Sequence, residues 1–310
     1  MTKFAFVFPG QGSQARGMMN GYADFPVVRD TFAEASSLLR QDLWQLVTEG
    51  SDAELNATVN TQPIMLTAGV AVYRAWRSLH GPAPALLAGH SLGEYTALVV
   101  GGAIEFADAL PLVRYRAGCM QQAVPEGVGG IAAILGLDDD SVRAVCREAA
   151  QGEVLEAVNY NSPGQVVIAG NRAAVERGME LAKGRGAKRA IMLPMSVPSH
   201  CSLLRGAAEK LRVYLNDVAV QAPSIPVLHN ADVKSYMDAA SIKDALVRQL
   251  YSPVRWMETV QYFGQQGVTH NVECAPGRVL AGLNKRIDAN QQALALNDGA
   301  ALKSVLAALA

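Results

Sequence analysis

The sequence predicts an α/β protein built on a parallel sheet, with a smaller βαββαβ unit inserted into it. Three observations carry this. Short apolar runs at Phe4–Phe8 and Ala83–Ala88 fit strands buried on both faces. They alternate with segments of helical spacing, the longest being Thr61–Leu79, where Leu66, Val70, Tyr73 and Trp76 recur every three or four residues. Between Gly130 and Leu193 the order becomes strand, helix, strand, strand, helix, strand within about 65 residues, the ferredoxin-like arrangement.

In chain order, the strand Phe4–Phe8 closes at Pro9-Gly10-Gln11-Gly12-Ser13-Gln14, a glycine-flanked turn. Val28–Leu39 has helical spacing, and the helix Thr61–Leu79 stops at Gly81-Pro82. The run ending at Ala88 leads directly into Gly89-His90-Ser91-Leu92-Gly93, and the helical pattern Glu94–Val100 follows. Strand, Gly-x-Ser-x-Gly, helix is the setting of a nucleophile elbow and marks an α/β-hydrolase-like main domain. Phe106–Gln122 is again helical. The inserted unit then runs as strand Gly130–Leu137, helix Asp140–Ala149, strands Val154–Asn159 and Gln165–Ala169 joined by a turn at Tyr160–Gly164, helix Arg172–Gly184 and strand Arg189–Leu193. Its flanks, Val124-Pro125-Glu126-Gly127 and Pro194-Met195-Ser196-Val197-Pro198, have linker chemistry. The expected domains are therefore 1–125 with 197–310, and 126–196. Beyond the insertion, Leu203–Val218, Ile242–Leu250, Val254–Gly264 and Arg278–Arg286 are helical, and Pro226–Asn230 and His270–Glu273 are strand-like.

A chain of 310 residues that is 50% hydrophobic and 18% charged can bury a large core, which argues against wholesale disorder. A net charge of −1 argues against a nucleic-acid or anionic-membrane partner held by bulk charge. The four cysteines are widely spaced without CxxC, and no His/Cys spacing suggests a metal. No signal peptide or membrane-length apolar run is visible, so a cytoplasmic protein is expected.

Ser91 is the candidate nucleophile. The glycines let the backbone turn sharply, and the Leu92 N–H is left to bind an oxyanion at a helix N-terminus. A serine hydroxyl needs a base. The histidines are His80, His90, His200, His229 and His270. His90, inside the turn, suits packing or orientation, and His80 suits the solvated end of a helix. His200 stands where the chain returns from the insertion, a natural cleft wall, but local sequence does not single it out. Arg116 lies on a mostly apolar helix and needs a partner. A structural salt bridge, a guanidinium reaching the surface, and a two-pronged clamp on a substrate carboxylate all satisfy that need. Gln11, in the first turn, can offer a second oxyanion donor from its backbone.

Several segments together resemble one family. Phe8-Pro9-Gly10-Gln11-Gly12-Ser13-Gln14, Gly89–Tyr95, Arg116 with Met120-Gln121, Ala123–Gly127, Tyr160–Gln165 and Val197-Pro198-Ser199-His200 are similar to the malonyl-CoA:acyl carrier protein transacylases of type II fatty-acid synthesis. The resemblance covers essentially the whole chain. It implies that Ser91 is the nucleophile, His200 its base, and the N–H groups of Gln11 and Leu92 the oxyanion hole. It implies that Arg116 binds the malonyl carboxylate, that Gln62, Met120 and Ser199 line the acyl pocket, and that Asn161 shapes the cleft. It also implies that a main-chain carbonyl, that of Gln249, orients the histidine in place of an acid. Ile131 departs from the methionine that relatives often carry. The resemblance further implies malonyl-CoA and acyl carrier protein as partners, no metal or cofactor, and a monomer. A polyketide-synthase acyltransferase, a malonate decarboxylase subunit, a serine esterase and a non-catalytic carrier-protein-binding module are the alternatives.

Overall fold

A computed structural model describes residues 2–125, 127–194 and 197–309. The expected limits of the insertion, residues 126 and 196, lie outside the described residues.

Among the described residues nine strands form two sheets: β1 (Phe4–Phe8), β2 (Leu86–Gly89), β3 (Gly129–Leu135), β4 (Leu155–Ser162), β5 (Gln165–Asn171), β6 (Arg189–Met192), β7 (Val227–Leu228), β8 (His270–Glu273) and β9 (Gln292–Ala295). The first sheet is parallel, in the order β7-β2-β1-β8-β9. Its central strand β1 is buried throughout. Phe4, Phe6 and Phe8 point to one face and pack with Trp76 of the long helix, while Ala5 and Val7 point to the other and pack with Val254, Trp256 and Phe263. Side-chain alternation on a sheet covered on both sides requires this division.

The second sheet is antiparallel, in the order β4-β5-β3-β6, with helices Asp139–Ala150 and Arg172–Gly184 packed on it over a core of its own. Backbone bonds tie it to the main body: Val254 N–H donates to Val158 O (2.8 Å) and Tyr160 N–H to Val254 O (3.0 Å). Both registers matter for the site. The pair Phe8↔Gly89 brings the first turn beside the elbow. The small sheet turns Asn161, near the end of β4, toward the same place.

The long helix runs over Thr58–Ser78, three residues earlier than its spacing predicts, with Pro63 inside it. The β4–β5 turn is tighter than expected, because β4 continues to Ser162 and Gly164, at φ 71°, turns the chain almost at once. The segment expected as strand Pro226–Asn230 is strand only at Val227–Leu228, because His229 and Asn230 leave the ladder to bond Glu94. The helices Leu43–Glu49, Asp52–Asn56 and Gly299–Leu309 and the strand β9 were not evident in the pattern.

Candidate active site

The elbow is made by close approach of backbones. A Cβ on Gly89 would lie 1.8 Å from Gly93 C, and one on Gly93 would lie 1.9 Å from Phe8 O. A Cβ on Gly10 would lie 2.5 Å from His90 O. Glycine at these three positions therefore lets the β1 turn and the β2 turn sit against each other. At the tip Ser91 adopts φ 52°, a left-handed conformation that costs a non-glycine residue on the order of 1 kcal/mol and marks a position held by its surroundings.

His200 is also left-handed, at φ 66°, and is 3% exposed. Its Nε2 lies 2.8 Å from Ser91 Oγ and its Nδ1 lies 2.7 Å from Gln249 O. A carbonyl can only accept, so Nδ1 carries the proton and Nε2 is free to accept the serine hydroxyl. Burial, reinforced by the Arg116 charge, drives the His200 pKa down to about 3, so the ring is neutral at ordinary pH. His90 and His80 stand as their sequence settings suggest. His90 Nε2 bonds Asn161 Oδ1 (2.9 Å), and its pKa is lowered by burial. His80 is exposed beyond the long helix, and His229 is buried against Glu94 (2.7 Å).

Arg116 resolves the three possibilities left open by its sequence. It is 1% exposed, so it does not reach the surface. Among the described residues no carboxylate forms a salt bridge with it. Its Nη1 donates to Gln62 Oε1 (2.9 Å), and its Nη2 to Gln249 Oε1 (2.9 Å) and Ser91 Oγ (3.2 Å). Its Nε has no partner among the described residues, and the guanidinium sits 5.3 Å from the Tyr95 ring centroid. A buried cation held directly only by neutral groups, with its Nη2 on Ser91 Oγ, can receive an anion beside that hydroxyl.

The pocket at these atoms is small, about 40 Å³, and its walls include Gln11, Gln62, Leu92, Met120 and Ser199 with the Ser91–His200 pair. It shares Gln11, His90, Ile131 and Asn159 with a cleft of about 490 Å³ that runs between the β1 turn, the small sheet at Asn161 and Gln165, and the helix Val279–Ile287. Among the described residues neither the Gln11 nor the Leu92 backbone N–H donates a hydrogen bond. All ten predicted site residues thus come to one place, Gln249 behind the pocket and Asn161 in the adjoining cleft.

Residues 5–295 match the family model described as "Acyl transferase domain". The chain belongs to the acyl transferase family. It is similar to the malonyl CoA-acyl carrier protein transacylase of Salmonella typhimurium, at 56% identity over 99% of both chains. It is also similar to the structure of an acyl-carrier-protein S-malonyltransferase from Burkholderia pseudomallei, at 60% identity and TM-score 0.97, covering 99% of this chain and 100% of that one. A third relative is a malonyl-transacylase solved in complex with a type II polyketide-synthase acyl-carrier protein, at 52% identity and TM-score 0.98, covering 99% of this chain and 100% of that one. Among the described residues of this acyltransferase no helix is long and apolar enough to cross a membrane.

A buried network behind the site was not foreseen. Glu94 Oε1 bonds His229 Nδ1 (2.7 Å), and its Oε2 accepts from Asn230 N–H and Gln249 Nε2 (both 2.9 Å). Gln249 Nε2 also donates to Ser91 O (2.9 Å). The sequence signal was an acid, Glu94, in the first turn of a mostly apolar helix, where it must find donors.

Proposed function

We propose that this acyltransferase moves the malonyl group from malonyl-CoA to the phosphopantetheine thiol of acyl carrier protein through a malonyl ester on Ser91. The observation that carries this is Arg116, a buried guanidinium without a carboxylate partner, 3.2 Å from Ser91 Oγ. An acyl group ending in a carboxylate supplies the missing partner. The names of the relatives support the same reading.

The reaction is ping-pong. Ser91 attacks the thioester carbonyl and gives its proton to His200 Nε2, while Nδ1–H stays on Gln249 O. The tetrahedral oxyanion takes the N–H groups of Gln11 and Leu92, each worth about 3 kcal/mol of barrier. CoA leaves as the thiol, taking the proton back. The carrier thiol then enters by the same cleft and the steps reverse. Gln62 holds the guanidinium in place, Met120 and Ser199 close the pocket around the acyl group, and Asn161, fixed by His90, borders the entry. CoA and phosphopantetheine are substrates, so this chemistry calls for no cofactor or metal.

The architecture fits a main domain of α/β-hydrolase type, residues 1–125 with 197–310, carrying a ferredoxin-like domain, residues 126–196. The strand orders and the separate core of the small sheet support this division. The setting is the cytoplasm, the enzyme acts as a monomer, and the product is malonyl-acyl carrier protein for fatty-acid elongation. A polyketide carrier is the second reading, favoured by the solved complex of a relative with such a carrier. Radiolabelled malonyl-CoA tests the proposal. The label should move to holo-acyl carrier protein and not to water; release as free malonate would make the protein an esterase, and absence of labelling a binding module. Rates with fatty-acid and polyketide carriers separate the two pathways.

A further inference from the structure

Asn230 is 1% exposed and does not line the acyl pocket, yet both ends of its side-chain amide bond the backbone of the elbow. Its place follows from the sheet. Strand β7 pairs with β2 as Leu87↔Val227 and Ala88↔Leu228. Beyond Leu228 the chain leaves the ladder, and Asn230 comes to lie against the end of β2 and the start of the elbow. The side-chain amide bonds both: Nδ2 donates to Gly89 O (2.6 Å) and Oδ1 accepts from Ser91 N–H (2.7 Å). An amide carries one donor and one acceptor edge to edge, which is the pattern this turn presents.

Two consequences follow. The left-handed φ of Ser91 is held from outside, by Asn230 on its N–H and on Gly89 O before it and by Gln249 Nε2 on its own carbonyl. The Ser91 N–H is also occupied, so within the elbow the N–H aimed at the pocket is that of Leu92. Asn230 is itself anchored, since its own N–H donates to Glu94 Oε2, the oxygen that also receives Gln249 Nε2. The carbonyl of Gln249 orients His200. One buried carboxylate therefore ties the clamp on the nucleophile to the support of its base.

We infer that Asn230 is a positioning residue for acyl transfer, its amide fixing the elbow so that Ser91 Oγ meets His200 and the Leu92 N–H meets the oxyanion. The inference rests on the reading of Ser91 as nucleophile given above. Displacing a reacting group by about 1 Å costs roughly 100-fold in rate, and that is the scale expected when the clamp is lost.

The experiment uses the full chain with Asn230→Ala and Asn230→Asp. Intact-mass spectrometry counts the sites that malonyl-CoA can label, and rapid quench gives the acylation rate per labelled site for malonyl-CoA and acetyl-CoA. Asn230→Ala should slow acylation per site roughly 100-fold, equally for both acyl groups and with the half-saturating concentration little changed. Asn230→Asp, close to the natural shape, carries the test if alanine prevents folding. As a carboxylate it cannot donate to Gly89 O, and as a neutral acid it can. Its per-site rate should therefore rise from about pH 8 to pH 5, beside the titratable Glu94 and His229, while the unsubstituted rate does not. Per-site rates equal to the unsubstituted protein in both variants, with only a lowered melting temperature, would overturn the inference and leave Asn230 a stabilising contact. Failure of the unsubstituted protein to acylate at Ser91 would instead overturn the proposed function.

Discussion

Truncating Arg116 to alanine separates recognition of the acyl group from the chemistry of the ester. The guanidinium is 1% exposed and held by Gln62 and Gln249 through neutral hydrogen bonds. Among the described residues no carboxylate touches it; Glu94 acts on it from a distance, through Gln249, so an arriving malonyl carboxylate is its first direct ionic partner. Removing one member of a buried, hydrogen-bonded charge pair costs about 2–5 kcal/mol. At about 1.4 kcal/mol per tenfold, that is a loss of roughly 30- to several-thousand-fold in malonyl kcat/KM. Acetyl transfer loses no such pair. It also gains, because Arg116 is one cause of the depressed His200 pKa, and without that cation the base is stronger. The assay is transfer to holo-acyl carrier protein from malonyl-CoA and acetyl-CoA with Arg116→Ala. Malonyl transfer should collapse while acetyl transfer holds or improves. An equal fall for both acyl groups would refute the clamp and return Arg116 to a structural part.

Three further outcomes follow from ionisation. With the His200 pKa down at about 3, its base form is complete at neutral pH, so kcat/KM should stay flat down to about pH 5; an acid limb with an apparent pKa near 6.5 would contradict this. The same depressed pKa makes the unfolded chain bind the proton first, so His200 contributes stability above its unfolded value of 6.5 that is lost as the pH falls toward about 3, which acid-dependent melts would detect. Burial lifts Glu273 to about 7, against the pull of backbone N–H groups such as that of Ala281 (2.9 Å). A raised carboxyl favours the fold below 4.5 and loses that advantage as the pH rises through 7, so Glu273→Gln should flatten the fall in melting temperature between about pH 5 and 8. An unchanged slope would count against it.

Much of the site was legible because its chemistry is local. Gly89, Ser91 and Gly93 announce a turn whose geometry only glycine permits, and the backbone approaches at Gly10 and Gly93 bear this out. Arg116 was legible as a problem, a charge on an apolar helix, but its neutral surroundings come from Gln62 and Gln249 on other elements. His200 could not be chosen from spacing alone, since what selects it is the carbonyl of Gln249 and the approach of Ser91. The Glu94–His229–Asn230 cluster joins the elbow helix to the segment after β7, far apart in sequence, and leaves no periodic trace. Among the elements not foreseen, Asp52–Asn56 did carry a local signal, the Ser51/Glu54 capping box. Strand β9, paired on one side at the sheet edge and never fully buried, is built of Gln, Ala and Leu and lacks the aromatic and β-branched residues that mark β1.

The central claim is that Ser91 carries the malonyl group, and intact-mass spectrometry after brief mixing with malonyl-CoA tests it most directly. The account predicts one malonyl adduct on the unsubstituted protein, removed by holo-acyl carrier protein, much less adduct from acetyl-CoA, and none on Ser91→Ala. An adduct that persists on Ser91→Ala, or no adduct on the unsubstituted protein, would contradict it.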